Sequence, residues 1–334
     1  MKLSIIIVNY KTPQLLLNCI GSIYEFGMAD TEIIVVDNFS QDDTESQLQA
    51  KFPQVRILQM GYNSGFARAN NAGINAAKGD VYLLLNSDTL IKENAINNSL
   101  QKLVIAYDYA GCGVQLLNAD GSPQISGNFV MKGGLNNLLP LPFIGKILKS
   151  VAEIFNIKKP HVSNATGVVD VDWINGAYLM VKKTAVDKAG LLDEDFFLYA
   201  EEAEWCSRLK KYGKLCIYGD DHVIHLQGQS ANNAFASGSA GYFNIYDKKG
   251  LQIMLSSFVR IRKEFGIGWL FFHLFFYTIT IPVFFLGLLF SRIFFGSKTS
   301  YSFLQWRGFT GNMASLLSYI PRIISNRPYF YKAL

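Results

Sequence analysis

The sequence predicts an α/β fold with a mostly parallel central sheet, followed by a hydrophobic helical segment. Short apolar runs alternate with helix-like segments through the first half of the 334-residue chain, as is typical of parallel strands joined by crossover helices. Polar residues follow three of these runs at the point where each run ends. No charged residue occurs in the 27 positions between Glu264 and Arg292. These observations predict a ligand-binding α/β domain and a C-terminal region of different character.

The elements of the first half are expected in a regular order. Strands are predicted at residues 3–8, 32–36, 55–59 and 81–85, and helices at 12–24, 42–51 and 67–77. Thr12 is the expected N-cap of the first helix, because Pro13 occupies its first position. The apolar run at the start of the chain is too short for a signal peptide and is predicted as a strand. The spacing favours a nucleotide-binding sheet, although the dinucleotide fingerprint Gly-x-Gly-x-x-Gly is missing.

The second half of the chain is predicted to be less regular. A turn is expected at residues 118–121, an irregular stretch at 129–168, and a second ordered block at 169–228 that begins with a strand at 169–174. We therefore divide the chain into three segments, which are residues 1–115, 116–250 and 251–334.

Composition excludes some classes of function. Hydrophobic residues make up 50% of the chain, which allows a large core. The net charge of +5 comes from the end of the chain, where no acidic residue accompanies the basic residues Arg292, Lys298, Arg307, Arg322, Arg327 and Lys332. Without a basic helix or stacked aromatic residues, this charge does not predict nucleic-acid binding. The cysteines, at positions 19, 112, 206 and 216, form no close pair, as expected of reduced thiols in a cytosolic compartment.

The uncharged segment at residues 265–291 is long enough to cross a bilayer core of about 30 Å as a helix. It contains eight phenylalanines and no polar face, which favours membrane contact over a buried helix of a soluble protein. A single span would export the basic tail against the positive-inside tendency, and Pro282 can kink or break a helix. We therefore expect a hairpin or an in-plane segment whose tail returns to the cytoplasmic face. A simple transmembrane anchor is the alternative.

Polar side chains at the ends of three predicted strands are expected to meet at one edge of the sheet. They are Asn9 and Tyr10, Asp37 and Asn38, and Asn86 and Asp88. Ligands of open α/β sheets bind at this edge, so we predict a nucleotide site in which Asp37 accepts hydrogen bonds from a base or ribose. Asp88 and His225 are expected to hold a divalent metal ion together with a substrate diphosphate. The alternative is that the strand-end residues serve turn formation alone.

The segment at residues 63–73 adds a loop and the start of a helix to this predicted site. Gly65 permits a positive φ or the close approach of a ligand. Arg68 lies on the first helical turn, where it would face a diphosphate with the help of the helix dipole. The alternative is an ordinary helix start with a solvated arginine.

The literal Asp-x-Asp at Asp170 and Asp172 is the tempting metal site, but we reject it as the main one. It begins a predicted strand, in which alternate side chains point in opposite directions and do not easily face a single ion. Asp88 stands at the better end of its strand.

Glu201 and Glu202 follow the aromatic run at residues 196–199, at the predicted start of a helix. A carboxylate against aromatic rings loses solvation, and its pKa rises toward the range of a general base. Acids at a helix start also suit the helix dipole, and the sequence leaves these two explanations of the pair open. For Glu204 we predict only an i,i+4 ion pair with Arg208.

Several of these motifs resemble those of the family 2 glycosyltransferases, inverting enzymes with the GT-A fold. The resemblance is carried by residues 4–10, 35–40, 63–73, 85–88, 173–180, 190–208 and 225–230. Within that family, the sequence most resembles the rhamnosyltransferase-like branch, which builds bacterial surface polysaccharides. The first predicted segment would then bind the nucleotide sugar, the second would bind the acceptor and supply the base, and the third would be membrane-associated.

The resemblance implies a role for individual residues. Asp37 would bind the nucleoside, and Asp88 would fill the metal-binding role of the family's Asp-x-Asp, with Asn86 in place of the first acid. Glu202 would be the catalytic base, beside Glu201, and it is one methylene longer than the family's Asp. The implied nucleotide-sugar-binding residues are Asn9, Tyr10, Asp37, Asn38, Gly65, Arg68, Asn86, Ser87 and Gly176.

The resemblance also implies an activity. The enzyme would transfer a sugar from dTDP-rhamnose or a UDP-sugar, with Mg²⁺ or Mn²⁺, to a hydroxyl of a lipid-linked glycan acceptor. It would act at the cytoplasmic face of the bacterial inner membrane, in contact with membrane lipids. The alternatives are a catalytically silent sugar-nucleotide-binding protein and a membrane scaffold of a polysaccharide assembly complex.

Overall fold

The computed structural model describes residues 1–26, 31–156, 160–226, 235, 244–295 and 301–333. The chain forms two compact units. Unit 1 comprises Met1–Phe129, His161–Phe197 and Glu201–Ser230, and unit 2 comprises Val130–Pro160, Leu198–Ala200 and Ala231–Leu334. This division does not follow the expected segments 1–115, 116–250 and 251–334, because residues 130–160 join the C-terminal part and residues 161–197 join the first part.

Unit 1 is built on a mixed sheet in which most strands run in one direction. The strands are β1 (Leu3–Asn9), β2 (Thr31–Asp37), β3 (Arg56–Gln59), β4 (Val81–Asn86), β5 (Thr89–Ile91), β6 (Tyr109–Leu117), β7 (Gly127–Asn128), β8 (His161–Val162), β9 (Val168–Val171), β10 (Trp173–Ile174), β11 (Tyr178–Lys182) and β12 (Lys214–His225). The main sheet has the order β3-β2-β1-β4-β11-β6-β12-β5, and β9 also pairs with β12. The β1–β2, β1–β4, β2–β3 and β6–β12 pairs are parallel, whereas β11, β5 and β9 run antiparallel to their neighbours. The predicted α/β fold with a mostly parallel sheet is confirmed.

Helices cover both faces of this sheet. They are α1 (Pro13–Glu25), α2 (Thr44–Lys51), α3 (Gly65–Ala76), α4 (Ala95–Ile105), α6 (Lys183–Ala189) and α7 (Glu201–Leu209). In β1, Ile5 packs into the cluster that contains Leu16 of α1, whereas its neighbour Ile6 packs into the cluster that contains Ile74 of α3. Strands that are buried on both faces need apolar residues at every position. This requirement explains the continuous apolar runs from which the strands were predicted.

The expected N-cap role of Thr12 is wrong. Thr12 precedes α1, but its side chain makes no capping hydrogen bond. Its hydroxyl instead donates to Asn9 Oδ1 at 2.9 Å and lies 3.3 Å from Ser87 Oγ. Thr12 therefore links the ends of β1 and β4.

Two predictions for the second half are also wrong. The single strand expected at residues 169–174 is two strands, because β9 pairs with β12 whereas β10 pairs with β7 of a separate small sheet. The stretch at 129–168, which was expected to be irregular, contains a 3-10 helix at Lys132–Leu138 and helix α5 at Ile144–Ile154. The glycines and prolines in this stretch conceal the helical spacing of α5.

Unit 2 contains three long helices, α8 (Lys248–Phe265), α9 (Ile267–Phe295) and α10 (Phe303–Ser325). Among the described residues, α9 alone is long and apolar enough to cross a membrane. It continues through Pro282, so a chain reversal inside residues 265–291 is wrong. The reversal comes later, since α10 runs back along α9. Phe285 contacts Phe303, with 6.0 Å between ring centroids, and Tyr277 contacts Phe309 at 6.4 Å.

Candidate active site

Asn9, the last residue of β1, contacts residues at and just after the end of β2. Asn9 is fully buried, and its Nδ2 group lies 3.4 Å from Asp37 Oδ1, 3.2 Å from Ser40 Oγ and 3.2 Å from Thr44 Oγ1. Asp37 also accepts hydrogen bonds from the backbone N–H and the hydroxyl of Ser40. Asn9 thereby fixes the orientation of the Asp37 carboxylate. The nucleotide-binding roles of Asp37, Asn9 and Tyr10 stay predictions.

Asn38 shapes the loop that precedes α3. Its Oδ1 accepts from the backbone N–H of Ser64 at 2.8 Å and from the Ser64 hydroxyl at 2.7 Å. Its Nδ2 donates to Asn63 Oδ1 at 3.1 Å and to the Gly65 carbonyl at 3.4 Å. The buried side-chain amide of Asn38 thus both donates hydrogen bonds to the loop and accepts hydrogen bonds from it.

Gly65 has the predicted positive φ, at 74°. A Cβ at this position would lie 2.2 Å from the carbonyl oxygen of Phe197, which accepts a hydrogen bond from the backbone N–H of Phe66 at 2.8 Å. The close approach that requires glycine here is therefore to the backbone of Phe197.

Arg68 projects from the first turn of α3 and is not simply solvated. Its Nε donates to the Glu194 carbonyl at 3.1 Å, and one terminal nitrogen lies 3.4 Å from the Tyr62 hydroxyl. An ion pair with the Glu194 carboxylate spans 3.9 Å. The expected contact with a diphosphate stays a prediction.

The turn after β4 brings three predicted residues together. Asn86, Ser87 and Asp88 connect β4 to β5, and the Thr89 hydroxyl closes the turn by donating to the Asn86 carbonyl at 2.8 Å. Asp88 is buried, and its carbonyl accepts from the backbone N–H of Leu226 at 2.9 Å. This bond joins the turn to the residue that follows β12.

His225 faces the Asp88 carboxylate, with 3.4 Å between Nε2 and Oδ1. The amide of Gln124 has a fixed orientation, because its Nε2 donates to the His225 carbonyl at 2.6 Å and to Asn118 Oδ1 at 2.7 Å. Gln124 Oε1 therefore accepts from His225 Nδ1, at 3.0 Å. Nδ1 thus faces Gln124, and Nε2 is the ring nitrogen that faces Asp88.

This arrangement fits a divalent cation. Metal-binding histidines in general donate their second ring N–H to an oxygen acceptor, as His225 does to Gln124. Asn86 Nδ2 lies 3.4 Å from His225 Nε2, so the turn contributes an amide beside the two ligands. No group of three or more His, Cys, Asp or Glu side chains suited to a metal occurs among the described residues. Asp88 and His225 would leave coordination positions for the oxygens of a diphosphate and for water.

Glu201 and Glu202 begin α7 and are buried, with only 2% and 7% of their surfaces exposed. Burial, and secondly the adjacent Glu202 charge, raise the pKa of Glu201 well above its usual range. The two residues before them, Tyr199 and Ala200, have left-handed φ values of 71° and 68°. Successive left-handed residues other than glycine are strained, and such strain concentrates at functional sites.

Gly176 lies between Glu202 and the end of β4. A Cβ on Gly176 would lie 3.6 Å from Glu202 Cγ, which is ordinary packing distance. The next residue, Ala177, accepts a hydrogen bond from the backbone N–H of Asn86 at 3.1 Å. The turn at residues 175–177 thus separates the carboxylate of Glu202 from the turn that carries Asp88. Contact of Gly176 or Ser87 with a nucleotide sugar stays a prediction.

The acids that we set aside have structural partners. Glu204 forms a two-point ion pair with Arg208, at 2.8 and 2.7 Å, as predicted. Asp170 accepts from the Tyr109 hydroxyl at 2.7 Å, and Asp172 pairs with Lys210.

Burial raises the pKa of the Cys19 thiol, which lies 3.7 Å from the Asn86 carbonyl, to about 12. This thiol is therefore not a nucleophile at neutral pH.

Sequence reasoning missed Gln124, Ser40 and Thr44. Gln124 lies 101 positions before His225, and no local pattern connects the two residues. Ser40 and Thr44 follow Asp37 closely enough to have been suspected, since short hydroxyl side chains commonly cap a carboxylate in a turn.

Comparison with known proteins gives a family for this part of the chain. Residues 4–130 match Glycosyl transferase family 2. The chain is similar to the low-salt glycan biosynthesis hexosyltransferase Agl10 of Haloferax volcanii, with 28% identity over 214 residues. That match covers 63% of this chain and 62% of the relative, so the chain aligns with less than two thirds of that protein's length.

Two rhamnosyltransferases are also similar to the chain. One is the N-acetylglucosaminyl-diphospho-decaprenol L-rhamnosyltransferase of Mycobacterium tuberculosis, with 26% identity, covering 63% of this chain and 71% of the relative. The other is the dTDP-rhamnosyl transferase RfbF of Shigella flexneri, with 26% identity, covering 68% and 69%.

Among solved structures, the chain matches the mannosyltransferase PcManGT from Pyrobaculum calidifontis, in complex with GDP-Man and Mn²⁺. The TM-score is 0.47 and the identity 13%, over 98% of this chain and 88% of that one. The sequence matches alone support the assignment. Residues 4–130 thus match a glycosyl transferase family 2 domain, and rhamnosyltransferases are among the proteins to which the chain is similar.

Proposed function

We propose that the chain is an inverting, metal-dependent hexosyltransferase. The observation that carries this proposal is the buried pair of Asp88 and His225, in which Nε2 lies 3.4 Å from the carboxylate while Nδ1 lies 3.0 Å from Gln124 Oε1. Carboxylate oxygen and imidazole nitrogen are both common ligands of divalent cations.

Asp88 and His225 would hold Mg²⁺ or Mn²⁺, with Asn86 beside them. When bound, such an ion neutralises the charge that develops on a departing nucleoside diphosphate. Asp37, oriented by Asn9 and Ser40, would accept hydrogen bonds from the nucleoside, and Arg68 would approach the diphosphate.

Glu202 would act as the base. Burial, and secondly the adjacent Glu202 charge, raise the pKa of the neighbouring Glu201, which favours a neutral Glu201 beside the base. Its carboxylate takes the proton of an acceptor hydroxyl, and the oxygen attacks the anomeric carbon on the face opposite the diphosphate. The bond from the anomeric carbon to the diphosphate oxygen breaks in the same step, so the configuration inverts.

The names of the relatives support a donor and acceptor class. A dTDP-rhamnosyl transferase suggests dTDP-rhamnose or another nucleotide sugar as the donor. The rhamnosyltransferase of Mycobacterium tuberculosis is named for a decaprenol-linked diphosphate sugar, and a glucosyltransferase of Campylobacter jejuni is named for an undecaprenol-linked one. These names suggest a lipid-linked diphosphate glycan as the acceptor. Such an enzyme would work at the cytoplasmic face of a bacterial inner membrane, with the apolar helix α9 in contact with lipid.

A panel of dTDP-, UDP- and GDP-sugars tests this proposal, with decaprenyl-diphosphate N-acetylglucosamine as the acceptor and with Mn²⁺, Mg²⁺ or a chelator. We expect turnover with one donor class, loss of turnover with the chelator, and an inverted anomeric configuration of the product by NMR. Nucleotide binding without turnover of any donor would instead favour a silent binding protein. The absence of both binding and turnover would favour a scaffold.

A further inference from the structure

Helix α9 has two faces that differ along its whole length. One stripe is buried within unit 2 and consists of Leu270, His273, Tyr277, Thr280, Phe284 and Leu288. The opposite stripe is exposed and strongly apolar, with Phe271, Phe275, Ile279, Leu286, Leu289, Phe290 and Ile293. At 1.5 Å per residue, the exposed stripe extends for about 33 Å from Phe271 to Ile293.

The elements that cover the buried stripe carry charge. Helix α8 runs antiparallel to α9, because Phe258 contacts Tyr277 at 5.0 Å and Tyr246, just before α8, contacts Phe284 at 6.2 Å. Near its end α8 bears a buried ion pair between Arg260 and Glu264, and Arg262 donates to the Ile324 carbonyl at the end of α10. If α9 stood upright in a bilayer, these charges would lie beside its first three turns, toward one end of the apolar stretch, where charged groups are costly unless they are paired.

Residues 134–143, which precede α5, contact α9 on another side. His273 Nε2 lies 3.1 Å from the Gly134 carbonyl, and the Tyr277 hydroxyl donates to the Asn137 carbonyl at 3.0 Å. Phe143 packs against Phe284 at 6.1 Å between ring centroids. A 3-10 helix interrupted at Gly133 and Gly134, and the turn that follows it, thus lie beside α9 from its first turns to beyond its middle. Backbone that is not regular α-helix is not tolerated in contact with lipid in a bilayer core.

Helix α5 also exposes an apolar stripe. Ile147, Val151, Ile154 and the following Phe155 recur at helical spacing and are all exposed. Lys146 and Lys149 occupy the other side of the helix, where Glu153 is the one acid, and Lys146 Nζ lies 5.3 Å above the ring of Tyr301. An amphipathic helix with an exposed apolar stripe and basic flanks is typical of a helix that lies in the membrane interface.

We infer that α9 and α5 together form a monotopic membrane-binding surface that lies in the plane of an anionic lipid leaflet. The exposed stripe of α9 and the stripe Ile147–Val151–Ile154–Phe155 of α5 enter the acyl boundary, while the lysines of α5 meet anionic headgroups. The charged elements on the opposite side of α9 stay in water. This inference rests on the membrane association in the proposed function and is independent of the proposed chemistry.

Depth measurements along α9 test the in-plane orientation. Single cysteines at Phe271, Phe275, Leu286 and Ile293 are spin-labelled in the full chain, since the native cysteines are buried. The protein is bound to phosphatidylglycerol–phosphatidylcholine vesicles, and depth is read from relaxation by oxygen and by a nickel chelate. We expect all four labels within about 5 Å of one depth, in the interfacial zone. A profile that is deepest at the middle positions and shallow at the ends overturns the inference in favour of a span.

A matched pair of variants tests the role of α5. Ile154 is 75% exposed at the end of α5, and Ile105 is 73% exposed at the end of α4 in unit 1. We expect Ile154→Asp to weaken partitioning to the same vesicles about tenfold, and Ile105→Asp to leave it unchanged. Equal effects of the two variants, or none from Ile154→Asp, would overturn the role of α5. Transfer to a water-soluble acceptor glycan is the separate readout for the proposed chemistry, and neither variant should change it.

Discussion

Unit 1 and unit 2 depart from the usual distribution of polar and apolar residues in opposite directions. Unit 1 buries the carboxylates of Asp37, Asp88, Glu201 and Glu202 around the ends of its strands. Unit 2 exposes phenylalanine, leucine and isoleucine along most of α9. Both departures cost free energy in water, since charges lose hydration and apolar groups remain hydrated. The difference agrees with the two proposals above, because a cation and a polar donor would stabilise the first kind of surface and lipid would stabilise the second.

The largest expected effect separates a functional from a structural role for the buried acids. Glu202→Gln should lower kcat by about 10²- to 10⁴-fold, since a general base acts in the transition state. The KM for the donor should change little. Steady-state kinetics measure both, and Glu201→Gln is the control. An inactive Glu201→Gln beside an active Glu202→Gln would move the base by one position.

Next in size is the loss of a charged ligand at the end of β4. Asp88→Asn should lower metal-dependent transfer at least about a hundredfold, because charge on the departing diphosphate is then poorly matched. The melting temperature should stay near that of the parent chain. Asp170→Asn is the matched control, as Asp170 contacts Tyr109 instead. Near-normal turnover in Asp88→Asn would contradict the metal site.

The tautomer of His225 offers a sharper test of the same site. Gln124→Ala removes the acceptor of the Nδ1 proton, and such losses around a metal ligand weaken affinity about 10- to 100-fold. Titration with Mn²⁺, followed by the electron paramagnetic resonance signal of the free ion, measures the affinity. Gln252→Ala controls for the loss of a buried glutamine, because Gln252 bonds to Ser256, Tyr331 and Ala333 in unit 2. Equal affinities in the two variants would refute the role of Gln124.

The smallest effect concerns the pH dependence of stability. Burial raises the pKa of Glu201 above its ordinary value of 4.5. Below that value both the folded and the unfolded chain hold the proton. As pH rises further, the unfolded chain releases it first, so the free energy of unfolding falls. Glu201→Gln should therefore stabilise the chain more at pH 8 than at pH 4 in urea titrations, whereas Glu25→Gln, at an exposed position, should not.

The parts of the fold that depend on local pattern could be predicted. The runs of β1 and β4 are apolar because both faces of the sheet are covered, and this burial leaves a clear signal in the sequence. The polar residues at the ends of β1, β2 and β4 could also be placed at one edge of the sheet, because parallel neighbouring strands end together. The register confirms this placement, since it pairs Asn9 with Asp37 and Val8 with Asn86.

The parts that depend on distant contacts could not be predicted. Thr12 was expected to cap α1, but its hydroxyl donates to Asn9 and also lies 3.3 Å from Ser87, a residue 75 positions away. The strand at 169–174 is divided because its halves pair with different partners. Helix α5 was missed although its apolar spacing is regular, because the surrounding glycines and prolines favoured irregular structure.

The hydrogen bonds of Asn38 have a consequence for the speed and cost of ligand capture. Its amide holds the backbone and side chains of residues 63–65 from both sides, so the loop before α3 is ordered by the fold itself. A loop that is already ordered loses little conformational entropy when a ligand arrives. Aspartate at position 38 would lack the two N–H donors, and the loop would then have to order at the moment of binding. The side-chain amide of Asn38 thus keeps the loop at residues 63–65 ordered before any ligand binds.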